Sequence, residues 1–142
     1  MSQLPPLMRD QRAIDAGHLN VLAIFHFVAA GMALLGIAFL GLHYALFHAF
    51  LSDPAMWAKQ KNPPPKEFFA MFEWFYVVFG VWFGASAIFN LISGLCIRRR
   101  THRNFSIMVA AFNCLQMPLG TVLGVFTIIV LMRDTVREVY QS

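Results

Sequence analysis

Three long apolar runs dominate the sequence, and short polar stretches separate them. The runs are Val21–Leu51, Phe68–Ile97 and Phe105–Met132, and Glu73 is the one Asp, Glu, Lys or Arg residue inside them. About 20 predominantly apolar residues in a helix are enough to span a bilayer. The pattern therefore predicts an all-α integral membrane protein with three long transmembrane helices.

The polar stretches set the boundaries of the predicted elements. Ser52 and Asp53 before Pro54 are typical of a helix start, whereas consecutive prolines at 63–65 disfavour a helix. We expect one membrane domain with helix 1 over about 18–51, an outer loop over 52–66, helix 2 over about 66–97, a basic turn over 98–103, helix 3 over about 104–132 and a tail over 133–142. Pro118 removes a backbone hydrogen bond, so helix 3 is expected to kink there.

Composition and charge agree with a membrane protein. The chain has 142 residues, 58% of them apolar, which leaves no stretch long enough for a separate soluble domain. The net charge of +4 comes from residues that flank the apolar runs, where they favour contact with lipid headgroups over nucleic acid. The headgroup contacts are assigned to the basic turn, at Arg98, Arg99, Arg100 and Arg103.

The distribution of Lys and Arg indicates the orientation. The dense basic turn is expected to be cytoplasmic, which places the N-terminus in the cytoplasm and the 52–66 loop outside. With three spans the C-terminus is also outside, and Lys and Arg number six inside against five outside. An alternative folds helix 3 back at Pro118–Gly120 as a re-entrant hairpin, which changes the count to eight against three. Because irregular backbone at that depth needs protein around it, we expect three spans.

Small residues indicate how the helices meet. Two Gly-x-x-x-Gly segments are present, Gly80–Gly84 and Gly120–Gly124. Counting helix rise from the basic turn puts Gly84 and Gly120 at similar depths, roughly 21–24 Å, so they are expected to form a contact between helices 2 and 3. The alternative is that these faces bind lipid or another copy. Helix 1 carries a stripe at spacings of three and four: His26, Ala29, Ala33, Gly36, Leu40 and His43.

One polar residue from each helix falls in the same layer. His26, Asn90 and Asn113 all lie roughly 12–14 Å below the cytoplasmic surface, and Gln116 lies slightly deeper. A polar side chain in hydrocarbon is costly unless it is paired, so we expect these groups to point inward and share hydrogen bonds. Their expected role is to fix the register of the helices. The alternative is a proton, ion or ligand site.

A second polar group is expected at the outer end. His43 and Glu73 both reach roughly 37 Å from the cytoplasmic surface, which predicts a hydrogen bond between them, and His48 lies near the same level. His43 and His48 are five residues apart, unlike the three or four that place two ligands on one helix face. No metal site is predicted, and the cluster is interpreted as an interfacial one.

Other chemistry has little support in the sequence. Cys96 and Cys114 fall at different depths, so no disulfide is expected. A haem held by two histidines needs both at one depth on facing helices, and helices 2 and 3 contain none. No cofactor is therefore predicted, and haem or pigment would have to lie between two chains, through His26 or His43. No paired carboxylates, Cys-x-x-Cys or phosphate-binding loop is present, so an enzyme is the least supported class.

Two segments, Asp15–Phe27 and Met117–Arg133, together with the arginine-rich turn, resemble a group of small bacterial inner-membrane proteins of unknown function. The resemblance implies a multi-pass protein of that membrane and implies no activity or site residues. The Ser52–Glu67 segment has no counterpart in the pattern.

Three helices bury few of their faces, so association with a second copy or a larger membrane complex is expected. The first hypothesis for function is a non-catalytic accessory or scaffold subunit. The second is a small oligomeric channel or carrier lined by His26, Asn90, Asn113 and Gln116. The third is a subunit that contacts haem or pigment through His26 or His43.

Overall fold

The computed structural model describes residues 6–51, 53–58 and 65–140 as helices joined by short turns. The helices are α1 (Pro6–Leu51), α2 (Pro54–Trp57), α3 (Lys66–Arg99), α4 (Arg103–Asn113), α5 (Leu119–Leu131) and α6 (Asp134–Val139). These residues contain no strand, so the all-α prediction is confirmed. They pack as two compact units, a first unit within Met1–Gly31 and Ser86–Ser142 and a second unit within Met32–Ala85.

Among the described residues, two helices are long and apolar enough to cross a membrane, and not three as the sequence predicts. They are α1, with 46 residues, and α3, with 34 residues. The bounds of α3 agree with those predicted for helix 2. By contrast, α1 begins at Pro6 rather than near residue 18, so part of the polar N-terminal segment is helical.

The third apolar run is broken rather than kinked, and the prediction of a third spanning helix is wrong. α4 ends at Asn113, a turn follows over 114–118, and α5 begins at Leu119 and runs back along α4. The Arg103 side-chain Nε–H donates to the carbonyl oxygen of Leu131 over 2.7 Å, so the N-terminus of α4 and the C-terminus of α5 meet. The chain thus folds back near Pro118 as a helical hairpin, as in the alternative that the sequence analysis gives for helix 3.

Local chemistry explains the break. Proline has no N–H to donate, its ring crowds the preceding turn of a helix, and it disfavours helical geometry in the residue before it. Pro118 therefore stands before the first helical residue of α5. At the opposite side of the turn, the Thr121 hydroxyl donates to the carbonyl oxygen of Cys114 over 2.9 Å. The hairpin turn is thus held by a side chain as well as by the backbone.

The apolar core of the first unit lies near the open end of the hairpin. It joins side chains of α1, α3, α5 and α6, namely Leu19, Leu22, Ala23, Ile97, Val130, Leu131 and Val136. All of them are 3% exposed or less. The hairpin, α1 and α3 are therefore packed together in this unit.

The second unit is an antiparallel pairing of the remaining parts of α1 and α3. The Phe83 ring lies close to Gly36, where an added Cβ would be only 3.0 Å from the ring. Further along, Tyr44 packs edge-on against Tyr76 with ring centroids 5.1 Å apart. α2 starts where the sequence predicts, because Asp53 Oδ1 accepts the backbone N–H of Ala55 over 2.9 Å.

Candidate functional site

Four helices of the first unit each contribute one side chain to a buried polar cluster. Its members are His26 of α1, Asn90 of α3, Asn113 at the end of α4 and Thr127 of α5, and none is more than 1% exposed. The structure thus brings together the three residues of the predicted polar layer. Gln116, the fourth, is half-buried and lies at the hairpin turn.

Asn90 and Asn113 pair their side-chain amides reciprocally. The Asn113 amide N–H donates to Asn90 Oδ1 over 2.7 Å, and the Asn90 amide N–H donates to Asn113 Oδ1 over 3.0 Å. The second amide hydrogen of Asn90 is directed at the backbone oxygen of Ser86, 2.9 Å away. Asn90 therefore uses both amide hydrogens, and it ties α3 to α4 through two bonds.

The orientation of the Asn90 amide determines the tautomer of His26. Because the Ser86 carbonyl can only accept, the nitrogen of the Asn90 amide must face it, and the oxygen must face His26. His26 Nδ1 lies 2.9 Å from that oxygen. Nδ1 therefore carries the hydrogen and donates, and in the neutral ring Nε2 is left as an acceptor.

Thr127 stands at the other side of the imidazole. Its Oγ1 lies 3.3 Å from His26 Nε2, and its hydroxyl donates to the carbonyl oxygen of Leu123 over 2.7 Å. A hydroxyl has one hydrogen, so Nε2 and the Leu123 oxygen compete for it. His26 Nε2 is consequently the least satisfied polar atom of the cluster.

A second polar pair lies beside the hairpin turn. The Gln116 amide N–H donates to Ser86 Oγ over 3.0 Å, while Ser86 Oγ is 3.4 Å from Gln116 Oε1. Ser86 thereby links this pair to Asn90. Together the two groups form a continuous set of hydrogen bonds between α1, α3 and the hairpin.

The outer-end residues belong to the second unit, and the hydrogen bond of His43 differs from the predicted one. His43 Nδ1 lies 2.7 Å from the Tyr76 hydroxyl, whereas Glu73 is exposed. Tyr76 lies three residues after Glu73, about one helical turn away. The predicted depth of the His43 partner is therefore close to the observed one, but the predicted residue on α3 is wrong. The His48 ring lies tilted beside that of Tyr44, with ring centroids 5.8 Å apart.

The glycines predicted to pack helices have different partners. An added Cβ at Gly120 would lie 2.6 Å from the Asn113 oxygen, and one at Gly124 would collide with the Ala110 oxygen, so both glycines face α4. Gly84 has open space where a Cβ would stand, and Gly80 has Leu40 at 3.9 Å. The second Gly-x-x-x-Gly segment therefore packs within the hairpin, against α4.

A charged group that the sequence did not single out joins α1 to the segment after α5. Asp15 has 2% exposure, and its Oδ1 accepts from Arg133 Nη1 over 2.9 Å and from Gln11 Nε2 over 3.1 Å. The hydroxyl of Thr135 donates to the other carboxylate oxygen. The one feature of the sequence that could have indicated this ion pair is the position of Asp15, three residues before the predicted start of helix 1.

The basic turn has an unusual backbone. Arg100 and His102 both have positive φ, 56° and 49°, a region that glycine adopts more easily than other residues. α3 ends in a Schellman motif in which Thr101 N–H bonds to the Cys96 oxygen and Arg100 N–H bonds to that of Ile97. Arg98, Arg99 and Arg100 are exposed, while Arg103 is half-buried.

In the part of the chain that the structure describes, no three His, Cys, Asp or Glu side chains come together as a metal site. Cys96 and Cys114 are both free thiols. His26 is fully buried, whereas His43 is exposed. No family model, curated protein or solved structure matches the chain.

Proposed function

We propose that the protein is an integral membrane protein of the bacterial inner membrane, and that it acts without catalysis as an accessory or scaffold subunit of a homo-oligomer or larger membrane complex. The observation that carries the proposal is the exposure of the two long helices. Only 28% of the most apolar stretch of α1 and 17% of that of α3 is buried within the chain.

This exposure distinguishes the helices from the core helices of a water-soluble protein, which are mostly buried. Large apolar side chains on both helices are open to the surroundings, with Leu35 66% exposed, Phe39 68% and Trp74 70%. Soluble monomers rarely expose such continuous apolar surface. Lipid tails, or the helices of a partner, are the surroundings that suit it.

The hairpin supports association with another chain. α4 has 11 residues, so the turn at 114–118 would lie about 16 Å from the basic turn, near the middle of a bilayer core about 30 Å thick. Irregular backbone at that depth needs protein around it. Met117 and Leu119 are nevertheless 84% and 78% exposed. A second subunit over this turn would supply the cover.

The buried polar cluster favours a scaffold over a channel. Its side chains are enclosed and bonded to one another, which fixes α1, α3, α4 and α5 in one register. A water-filled path would instead leave such groups accessible. The expected role of His26, Asn90 and Asn113 is therefore structural.

The orientation follows from the hairpin together with the sequence. With α4 and α5 returning to the level of the basic turn, eight of the eleven Lys and Arg residues precede the apolar run of α1, lie in the basic turn or follow α5. The other three lie between the apolar runs of α1 and α3. The positive-inside rule then places the basic turn in the cytoplasm.

Two measurements test the proposal. Membrane location is tested by alkaline carbonate extraction, after which the protein should stay in the membrane pellet. Association is tested by native mass spectrometry in mild detergent, combined with cross-linking through Met117→Cys in a chain whose Cys96 and Cys114 are replaced by alanine. A matched control is Phe39→Cys, which is similarly exposed but lies on α1. Cross-links are expected at position 117.

The channel hypothesis makes the opposite prediction for Asn113→Leu. For a scaffold the variant should lower thermal stability and leave ion flux into liposomes at the level of empty vesicles. A monomer with nothing co-purifying and no cross-link at position 117 would contradict the scaffold proposal. Flux that is abolished by Asn113→Leu in a stable protein would do so as well.

A further inference from the structure

An open cavity of about 330 Å³ lies in the first unit beside the N-terminus of α4. It is lined by His102, Arg103, Asn104, Phe105, Arg137 and Tyr140. Its volume falls at the lower end of the range of small-molecule sites, about 300–1,000 Å³. The buried polar cluster contributes no residue to it, so the cavity is a separate site.

The charge of the cavity is positive. The Arg103 Nε–H donates to the Leu131 carbonyl oxygen, which holds the guanidinium in place. Its two terminal nitrogens can then donate to another acceptor. Arg137 adds a second guanidinium from α6. The carboxylates on that helix are Asp134 and Glu138, and Glu138 is paired with Arg12 at 3.0 Å. Two arginines converging on one cavity are suited to an anion with several oxygens.

The backbone adds donors at the same place. α4 begins at Arg103 with no side-chain cap from His102. The backbone N–H groups of Phe105 and Ser106 bond to the His102 oxygen, which leaves those of Arg103 and Asn104 without an intrahelical acceptor. The positive end of the helix dipole also favours an anion.

Tyr140 supplies an independent observation. Its hydroxyl is buried yet has no hydrogen-bond partner among residues 6–51, 53–58 and 65–140, although the side chain lines the cavity. Burial raises the pKa of Tyr140 to about 12, the Cys96 thiol adds to the rise, and Arg100 and Arg103 oppose it. The group is therefore a neutral hydroxyl with one hydrogen to donate. A buried donor left unpaired is costly. The hydroxyl is closed off from solvent, so a small rotation of the Tyr140 side chain would let it donate to an acceptor in the cavity and relieve that cost.

We propose that this cavity binds a phosphate group, held by the guanidiniums of Arg103 and Arg137, the N-terminus of α4 and the hydroxyl of Tyr140. The phosphate belongs either to the headgroup of an anionic phospholipid or to free phosphate in the solution. The lipid source rests on the proposed membrane location, whereas free phosphate does not.

The test measures binding of phosphatidylglycerol to the purified full chain by native mass spectrometry in a neutral detergent, with phosphatidylcholine as the reference lipid. Arg137→Gln is expected to weaken binding about tenfold, the equivalent of one charge-assisted hydrogen bond. Tyr140→Phe is expected to weaken it about threefold, and because the hydroxyl has no partner the change should not destabilise the fold. The matched control is Lys61→Gln, which removes one positive charge from the connection between α1 and α3 rather than from the cavity or the basic turn.

Inorganic phosphate serves as the competing probe. If inorganic phosphate displaces the lipid and also binds alone, the ligand is free phosphate. If phosphatidylglycerol binds and inorganic phosphate does not displace it, the ligand is the lipid headgroup. Both results support the phosphate site. The proposal is overturned if Lys61→Gln weakens binding as much as Arg137→Gln, since binding would then follow net charge alone. It is also overturned if the wild type neither prefers phosphatidylglycerol nor binds phosphate, even when carbonate extraction shows a membrane protein. If Arg137→Gln does not fold, unchanged binding in Tyr140→Phe counts against the site.

Discussion

Arg133 Nη1 lies 2.9 Å from Oδ1 of Asp15, although 118 residues separate the two in sequence. The contact is possible because α5 returns along α4 and brings residue 133 back to α1. The Asp15 side chain is 3% exposed and that of Arg133 is 34% exposed, so the pair is shielded from water on the acidic side. The ion pair therefore fastens the end of the hairpin to the start of the first apolar run.

Loss of this pair should weaken the first unit. Arg133→Gln leaves the buried Asp15 without its cation and is expected to lower the free energy of unfolding by about 2 kcal/mol. Arg12→Gln is the matched control, because the Arg12–Glu138 pair is 42% and 62% exposed and should contribute less than about 1 kcal/mol. Thermal unfolding of both variants in detergent checks the difference. Equal effects would mean that burial of Asp15 contributes nothing.

Asn113→Leu should destabilise the hairpin. The substitution removes both amide bonds to Asn90 and leaves buried donors and acceptors unpaired, at a cost of about 2–3 kcal/mol. The control Asn20→Leu changes an exposed residue of the same unit and should shift stability by less than about 0.5 kcal/mol. Unfolding followed by circular dichroism distinguishes them. A neutral Asn113→Leu would show that the amide pair is not formed.

Ser93→Ala should stabilise the first unit rather than destabilise it. Ser93 is 0% exposed, and within the described ranges its hydroxyl finds no hydrogen-bond partner. Replacing an unpaired buried hydroxyl by a methyl group is expected to raise the free energy of unfolding by about 1 kcal/mol. Differential scanning calorimetry provides the measurement. Ser106→Ala should behave alike, because the Ser106 hydroxyl is also buried and has no partner among the described residues. A marked loss of stability would reveal an acceptor for this hydroxyl.

Gly124→Ala should open the hairpin, whereas Gly84→Ala should not. A Cβ at position 124 would collide with the Ala110 oxygen and stand 2.6 Å from Cys114 Sγ, while position 84 has open space around it. At Gly84, alanine is expected to raise the free energy of unfolding by up to about 1 kcal/mol, because alanine has the higher helix propensity. Melting temperatures of the two variants give the comparison. If Gly84→Ala alone disrupts assembly in native mass spectrometry, Gly84 contacts another chain.

Cysteine labelling tests the hairpin topology. Asn104→Cys and Asp134→Cys, both at exposed positions, should react with a membrane-impermeant maleimide from the same side of oriented vesicles. Three spanning helices would place them on opposite sides. Ala55→Cys, in the connection between α1 and α3, is the reference for the other side. The background chain carries alanine at both native cysteines.

The polar layer was predictable because helix rise is constant. Counting residues from the predicted cytoplasmic end of each helix gives His26, Asn90 and Asn113 the same depth, and an uninterrupted helix joins each of them to that end. Thr127 was missed for the same reason: in a straight helix 3 it would lie far deeper than His26, and only the hairpin brings it back. Depth also does not tell which side of a helix a residue faces. The count therefore could not distinguish Tyr76 from Glu73 as the hydrogen-bond partner of His43.

The third apolar run shows where hydropathy stops being informative. Residues 105–132 are apolar throughout whether they continue or turn back, so composition is the same in both cases. The decisive signals were local, namely Pro118 and the two glycines that fit against α4. The Arg133–Asp15 pair could not be inferred while residue 133 was placed at the far side of the membrane. Charge counting alone had favoured the hairpin.

The return of α5 changes what insertion into a bilayer requires. If the basic turn stays in the cytoplasm, both the stretch before α1 and the stretch after α5 remain on the side of synthesis. Only the segment between the apolar runs of α1 and α3 would then be translocated, and it carries three lysines, at positions 59, 61 and 66. The eight arginines would not cross the bilayer, so insertion would require the export of a single short loop.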